Sequence, residues 1–335
     1  MKISRRRLVQ GATIATMPAI LSRRGDAAEF DYKFATNQPL SHPSNVRAQE
    51  AIDRIRDQSN GRLRIRLFPN NQLGGDTDMF SQVRAGAIQF FLLSGLIVQT
   101  VVPAAGANGV GFAFKDYSQV WAAMDGEFGA YLRQQMLQAG LYAFPKIWDN
   151  GFRQVTAAAK PIHEPGDLQG FKIRVPIMPI TTSLFESYGA APTSLNIKDL
   201  YTALQTKLVD GQENPLSIMA NWRLYEVQKF CALTDHMWDG FWVISSRKTW
   251  GALPEDLQTI VSRNLDIGAD AQRADVQQLN ASLQDDLEKK GIQFNPVDKA
   301  SFRNKLQQAG FYAKWKKNFG PECWGLLEKY TGTLA

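Results

Sequence analysis

The chain has 335 residues, of which 44% are hydrophobic and 21% are charged, and its formal net charge is +6. These fractions are typical of a soluble globular protein, and they exclude a disordered chain, a collagen-like repeat and a membrane-embedded helix bundle. The length is enough for one large domain or two medium ones.

The positive charge is concentrated at the N-terminus. Residues 1–27 contain six basic residues and one acidic residue, so they carry +5 of the +6. Ser4-Arg5-Arg6-Arg7 precedes a short apolar segment over 8–21 and small residues at 27–28. This order predicts an export signal over 1–28, and the paired arginines favour the twin-arginine route. A membrane anchor is the less favoured alternative, because spanning a bilayer takes about 20 apolar residues. We therefore expect a periplasmic protein.

Strands and helices alternate in the segment that follows. The hydrophobic pattern predicts strands at 32–36, 62–68 and 88–93 and a helix at 44–59. Asp76-Thr77 can cap a second helix that runs to about residue 85. A β-α-β-α-β order of this kind predicts a largely parallel sheet with helices on its faces. Three arginines alternate along the second strand, but no aromatic residues lie between them. They therefore indicate a solvated face, and we expect no nucleic-acid partner.

A second set of elements begins near residue 150. The pattern predicts strands at 151–157, 172–175, 209–213 and 241–245, and helices at 181–188 and 196–206. Residues 254–290 begin with Pro254, end before Gly291 and contain mostly good helix formers. They predict one helix roughly 55 Å long, which has to cross more than one domain. A break into two helices at Gly268 is the alternative.

Catalytic motifs are missing from the sequence. The three histidines, His42, His163 and His236, do not have metal-ligand spacing, and we find neither a nucleophile elbow nor a phosphate-binding glycine loop. We therefore expect no cofactor, no metal and no enzymatic activity. Cys231 and Cys323 either form a disulfide or remain two buried thiols, and the sequence leaves both open.

Two arginines inside apolar strands are the best candidates for binding a ligand. Ile173 and Val175 share one face of their predicted strand, and Arg174 between them lies on the other face. Arg174 is near the carboxyl end of the strand, which is where α/β sheets bind ligands. A planar carboxylate would satisfy its guanidinium fork with two parallel hydrogen bonds. Arg153 lies in the predicted strand at 151–157. The residues alone leave open whether each arginine binds a ligand or pairs with a protein carboxylate such as Asp210 or Glu213.

Several segments, in their order and spacing, resemble one family. They are Phe171-Lys172-Ile173-Arg174-Val175, the segment 200–206, Val209-Asp210-Gly211-Gln212-Glu213-Asn214-Pro215-Leu216, the segment 225–229, Asn71-Gln72-Leu73-Gly74-Gly75-Asp76 before a helix, and the segment 246–257 that leads into the long helix. Together they resemble the extracytoplasmic solute-binding proteins of TRAP transporters (the DctP family), over essentially the whole mature chain.

The resemblance implies a periplasmic binding protein-like α/β fold. Two lobes would enclose a ligand cleft, joined by crossing strands and by a long helix that spans both. Lobe I would comprise 29–150 and about 239–279, and lobe II would comprise 151–238 and about 280–335. The ligand would be a small organic acid. The partners would be the small and large membrane permease subunits, which use an ion gradient, and we expect a monomer.

The resemblance also carries site residues over. Arg174 matches the family's carboxylate-binding arginine, Arg153 a second arginine that frequently contacts the ligand, and Asn214 an asparagine that completes the carboxylate site. Asn37 falls where some members use a polar side chain. Ser94 stands where members that bind sialic acid have a glutamate, which argues against sialic acid. Aromatic residues that could line the cleft are Trp148, Trp238, Phe241 and Trp242, with core packing an equal alternative for the last two.

Two other functions stay open at this point. One is a twin-arginine-exported enzyme that acts on an organic acid, and the other is a binding protein that serves a sensor or an ATP-driven importer. The sequence does not identify the acid, because an arginine recognises only the carboxylate that all the candidates share.

Overall fold

The computed structural model describes residues 28–334, so the predicted export signal lies outside the described residues. Twelve strands lie within this range: β1 (Phe30–Thr36), β2 (Leu63–Phe68), β3 (Phe90–Ser94), β4 (Leu141–Ala143), β5 (Trp148–Phe152), β6 (Gln154–Ala157), β7 (Lys172–Val175), β8 (Ala191–Ser194), β9 (Gly211–Asn214), β10 (Phe230–Leu233), β11 (Trp238–Ser246) and β12 (Gln293–Pro296).

The same range contains twelve α-helices: α1 (Pro43–Gln58), α2 (Asp76–Ala85), α3 (Gly95–Val98), α4 (Tyr117–Met124), α5 (Glu127–Gln138), α6 (Pro179–Ser187), α7 (Ile197–Gln205), α8 (Leu216–Asn221), α9 (Arg247–Gly251), α10 (Glu255–Lys289), α11 (Lys299–Gln308) and α12 (Phe311–Thr331). None of them is long and apolar enough to cross a membrane.

The strands form two six-stranded sheets. In the first sheet the order is β2-β1-β3-β11-β4, and β5 also pairs with β11; in the second it is β12-β10-β6-β9-β7-β8. The prediction of a parallel sheet is confirmed for β1, β2 and β3. It is wrong for the sheet as a whole, because the chain returns from the second sheet along β11, which runs antiparallel to β3, β4 and β5.

The chain crosses between the sheets at Arg153. The sequence pattern predicts one strand over 151–157, which is wrong, because β5 ends at Phe152 in the first sheet and β6 begins at Gln154 in the second. Gly151, with φ of 118°, adopts backbone geometry that favours glycine just before the crossing. The second crossing runs back from β10 to β11, and the main-chain N–H of Arg153 donates to the carbonyl of Met237 there, over 2.8 Å.

Helix α10 is one continuous helix of 35 residues, so the alternative of a break at Gly268 is wrong. Leu257, Val261 and Leu265 on its first half pack into the core of the first lobe, together with α1 and β1. Leu287 near its end packs with Leu200 of α7 in the second lobe. The helix therefore spans both lobes, as the sequence predicts.

The C-terminal helix α12 packs against the segment between β3 and β4. The hydroxyl of Tyr312 donates to the carbonyl of Gly111 over 3.0 Å, and that of Tyr330 accepts from the main-chain N–H of Glu127 over 3.1 Å. These contacts join the predicted end of lobe II to residues of lobe I. The lobe boundaries stay a prediction. Cys231 and Cys323 are both free, buried thiols.

Candidate functional site

A cleft is lined by residues of both sheets, several of them at the carboxyl ends of strands. The volume in it that is open to the centres of water molecules is about 30 Å³. Asn37 and Gln38 follow β1, Ser94 ends β3, and Asp76 begins α2, all on the first lobe. The remaining lining residues come from the crossing segments and the second lobe: Asn150, Arg153, Arg174, Pro176, Met178, Ile197, Asn214, Ile218, Asp239 and Phe241, together with Ile97 of α3.

Arg174 reaches the cleft because of strand alternation. Ile173 and Val175 point into the hydrophobic core, so Arg174 between them points to the other face of β7. Its Nε donates to the carbonyl of Leu195 over 3.0 Å, and Nη2 donates to the same oxygen. No carboxylate among residues 28–334 lies within ion-pair distance of it, and Nη1 is buried without a partner. Burial lowers the pKa of this guanidinium to about 10.

Arg153 is paired within the protein. Its Nη2 donates to Glu213 Oε1 over 2.8 Å and to Asn214 Oδ1 over 3.1 Å, and its Nη1 donates to Asp239 Oδ2 over 3.1 Å. Burial opposes the charges of Arg153 and Glu213, but their mutual attraction outweighs it, raising the pKa of the arginine and lowering that of the carboxyl. Of the two alternatives left open by the sequence, pairing with Glu213 therefore holds for Arg153, although Arg153 also lines the cleft.

Asp239 organises one side of the cleft. The hydroxyl of Ser94 donates to its Oδ1 over 2.7 Å, and Nδ2 of Asn150 donates to its Oδ2 over 2.8 Å. Burial raises the pKa of Asp239, while Arg153 acts in the opposite direction. The hydroxyl of Ser94 is therefore tied to this carboxylate.

Asp76 organises the other side. Nδ2 of Asn37 donates to Asp76 Oδ1 over 2.9 Å, and Nε2 of Gln38 donates in turn to Asn37 Oδ1 over 2.8 Å. Burial raises the pKa of Asp76 to about 6, although Asn37 and Arg174 oppose the shift. Asn214 on the second lobe donates to Gln212 Oε1 and accepts from Arg153.

The structure brings five of the seven predicted site residues together: Arg174, Arg153, Asn214, Asn37 and Ser94. Trp148 and Trp238 lie outside the cleft lining. Trp148 packs in the core against α10, with its ring beside Gly268. Trp238 packs edge-on against Phe114 and Trp121, and its indole N–H donates to Asp149 over 3.0 Å. For Phe241 and Trp242 the sequence leaves cleft lining and core packing equally open. Phe241 lines the cleft, and Trp242 is buried in the core.

Four polar lining residues escape the sequence prediction: Gln38, Asp76, Asn150 and Asp239. Three of them sit beside residues that the sequence singles out, since Gln38 follows Asn37, and Asp76 closes a motif and begins a helix. Asn150 lies at the predicted start of the second set of elements. Asp239 has no such signal, because its role comes from contacts with Arg153 and Ser94, which are far from it in sequence.

A family model for bacterial extracellular solute-binding proteins, family 7 (DctP), matches residues 34–318. The chain belongs to this family. The family comprises the solute-binding proteins of TRAP transporters, and the resemblance given by the sequence is thereby confirmed. A solute-binding protein of Roseobacter denitrificans is 30% identical over 89% of this chain and 91% of its own length.

Solved structures agree with this assignment. A TRAP periplasmic solute-binding protein of Polaromonas sp. JS666, bound to D-erythronate, is 28% identical, with a TM-score of 0.85 over 91% of this chain and 99% of that one. A second, from Sulfurospirillum deleyianum with bound succinate, is 25% identical, with a TM-score of 0.85 over 91% and 99%. The family member described here therefore has the periplasmic binding protein-like fold, with two α/β lobes around a ligand cleft.

Proposed function

We propose that this protein is the periplasmic receptor of a TRAP transporter, which captures a small organic acid in the cleft and delivers it to an ion-gradient-driven permease. Arg174 would bind the carboxylate of the acid. The observation that carries this proposal is the buried Nη1 of Arg174, which has no partner among residues 28–334 although Arg174 lines the cleft. A buried donor of this kind is costly unless a ligand satisfies it.

The arrangement supports capture by closure of the two lobes. Arg174 and Asn214 belong to the second sheet, whereas Asn37, Asp76 and Ser94 belong to the first lobe. An acid that contacts both groups would stabilise the closed state by its differential affinity for it. Two structural neighbours hold acids, D-erythronate in one and succinate in the other. A carboxylate is the group that these acids share.

Titration calorimetry on purified protein, freed of any co-purified ligand, tests the proposal. A panel of organic acids should contain at least one that binds, and Arg174→Ala should weaken its binding by roughly 30-fold or more, the cost of leaving a buried charge unpaired. Lys172→Ala, an exposed residue on the same strand, is the matched control and should leave the affinity unchanged. Equal affinities of wild type and Arg174→Ala would contradict the site.

Delivery needs a separate experiment. Proteoliposomes that contain the small and large permease subunits should take up the acid only when this receptor and an ion gradient are both supplied. Uptake that proceeds equally without the receptor would contradict the proposal. The twin-arginine route is tested by replacing Arg5, Arg6 and Arg7 with lysine, which should leave the precursor in the cytoplasm.

A further inference from the structure

Three buried polar atoms of cleft residues lack a partner among the described residues: Nη1 of Arg174, Oε1 of Gln38 and Oδ1 of Asn150. The three side chains are 1%, 2% and 4% exposed. The first atom is a donor and the other two are acceptors. Buried polar groups in folded proteins nearly always have partners, so a ligand that fills the cleft has to bring one acceptor and at least two donors.

The orientation of the Gln38 amide follows from its neighbours. A carboxylate can only accept, so the amide of Asn37 has to direct Nδ2 at Asp76, which leaves its Oδ1 as an acceptor. Gln38 therefore directs Nε2 at Asn37, and its Oε1 is left without a donor. Asp76 thus determines the orientation of the side-chain amides of both Asn37 and Gln38.

The orientation of the Asn150 amide follows in the same way. Its Nδ2 donates to Asp239, which is a carboxylate, and its Oδ1 is therefore the atom without a partner. Asp239 also accepts from Ser94 and Arg153. Each of the two aspartates consequently leaves the amide oxygen of one cleft-lining residue without a partner among residues 28–334.

The charges of the cleft admit one carboxylate. Arg153 is paired with both Glu213 and Asp239, so the free guanidinium N–H of the cleft belongs to Arg174. A second carboxylate on the ligand would meet amide oxygens and the carboxylate of Asp76 without a cation of its own. Burying an unpaired charge among acceptors is strongly unfavourable.

We infer that the ligand is a polyhydroxy monocarboxylate, whose carboxylate binds Arg174 and whose hydroxyl groups donate to Gln38 Oε1 and Asn150 Oδ1. This inference rests on the proposed function and deepens it, because it names the class of acid. Hydroxyl groups suit neutral amide oxygens on two separate walls, and each hydroxyl can also accept in return. Dicarboxylates without hydroxyl groups match neither the acceptors nor the single free cationic group.

Four acids with four carbons separate the two features of the ligand. Erythronate has hydroxyl groups and one carboxylate, butyrate has one carboxylate alone, succinate has two carboxylates, and tartrate has hydroxyl groups and two carboxylates. Calorimetry with these acids, and with the six-carbon set gluconate, hexanoate, adipate and glucarate, should rank the polyhydroxy monocarboxylate first in its set. Serine, which offers an ammonium donor in place of several hydroxyls, should bind more weakly than erythronate.

Gln38→Met tests the contact itself, because methionine keeps the length of the side chain and removes the amide, that is, the Oε1 acceptor together with the Nε2 donor to Asn37. It should weaken binding of the preferred polyhydroxy acid by roughly five- to tenfold, the effect of one hydrogen bond. The affinity for butyrate or hexanoate, which have no hydroxyl to donate, should stay the same. Gln134→Met, on an exposed face of α5, is the matched control and should change neither affinity.

The outcomes separate this inference from the proposed function. If succinate or adipate binds most tightly and Arg174→Ala abolishes that binding, the receptor function stands and the polyhydroxy monocarboxylate is overturned. The same holds if serine binds most tightly, or if Gln38→Met weakens hexanoate as much as gluconate. If none of the acids binds, both the inference and the organic-acid receptor fail.

Discussion

Arg153 and Glu213 form a buried ion pair, in which Nη2 of the arginine donates to Oε1 of the carboxylate over 2.8 Å. Glu213 belongs to the second sheet, and Asp239, which Arg153 also contacts, belongs to the first. Arg153 itself lies where the chain passes from one sheet to the other. It therefore connects the two lobes at their crossing point, whereas Nη1 of Arg174 has no hydrogen-bond partner among residues 28–334.

Removing the charge of Glu213 should destabilise the fold. Glu213→Gln leaves Arg153 buried with one carboxylate in place of two, and breaking a buried pair typically costs about 3–5 kcal/mol. Chemical denaturation at pH 7 should show a drop in the free energy of unfolding of this order. Glu186→Gln, an exposed glutamate on α6, should stay within about 0.5 kcal/mol of wild type. A change below about 1 kcal/mol in Glu213→Gln would contradict a supporting role for the pair.

The two cleft arginines should differ in their effect on the ligand-free protein. Arg153→Met leaves Glu213 and Asp239 as buried carboxylates, so it should lower the free energy of unfolding by about 3–5 kcal/mol. Arg174→Met removes a buried cation that has no carboxylate partner among residues 28–334. The free-energy cost of burying that charge disappears, and this offsets the loss of the hydrogen bonds to Leu195. Denaturation should place it within about 1 kcal/mol of wild type, while calorimetry shows loss of binding. Equal destabilisation by both variants would contradict this division of roles.

The elements that the sequence predicts best are those bounded by local signals. The strand at 172–175 matches the structure residue for residue, the helix α2 ends at Ala85 as predicted although its cap is Gly75, and α10 differs by one residue at each end. Pro254 and Gly291 mark the limits of that helix in the sequence itself. Local hydrophobic pattern and capping residues are sufficient there, because each element is defined by its own stretch of chain.

The relationships between distant residues could not be predicted in this way. The segment 151–157 alternates like one strand, and the crossing at Arg153 depends on which sheet each half joins. Arg153 and Asp239 are 86 residues apart, and the roles of Asp239 and Asn150 exist only once β5 and β11 pair. Trp148 and Trp238 look like cleft aromatics in the sequence, but packing with α10 and with Trp121 holds them in the core.

Asp149 should make the stability of the protein depend on pH. Burial raises the pKa of its carboxyl to about 7, although Trp238, Tyr117 and Arg273 oppose the shift and Asp239 adds to it. The folded state therefore keeps this proton up to about pH 7, whereas the unfolded chain releases it near the ordinary value of 3.8. Stability from this group is present below about pH 4 and is lost as pH rises to 7, in total on the order of 4 kcal/mol.

Asp149→Asn should remove this dependence. The amide can still accept from Trp238, and it carries no charge at any pH, so the variant should gain stability relative to wild type between pH 5 and pH 8. Denaturation of both proteins at the two pH values measures the difference. Asp285→Asn, an exposed aspartate on α10, should follow the wild-type pH dependence. Identical pH slopes for wild type and Asp149→Asn would refute the assignment.

Gly268 explains how the long helix passes the crossing strand β5. A Cβ at this position would lie 3.0 Å from Cη2 and 3.1 Å from Cζ2 of Trp148, which is tighter than ordinary van der Waals contact. Gly268 therefore allows α10 to pack closely against the Trp148 ring, and it does not mark an end of the helix. Gly268→Leu should displace the Trp148 ring and lower the free energy of unfolding by about 1–3 kcal/mol, the usual cost of overpacking.

Gly325→Leu is the matched control for this prediction. Gly325 is also helical, but apart from its chain neighbours and the adjacent helix backbone, no atom of residues 28–334 lies within 4 Å of a Cβ built on it. Leucine there should raise the free energy of unfolding by a few tenths to about 1 kcal/mol, because it is a better helix former than glycine. Denaturation of both variants should therefore give changes of opposite sign. A gain in stability from Gly268→Leu would show that the contact with Trp148 does not constrain the helix.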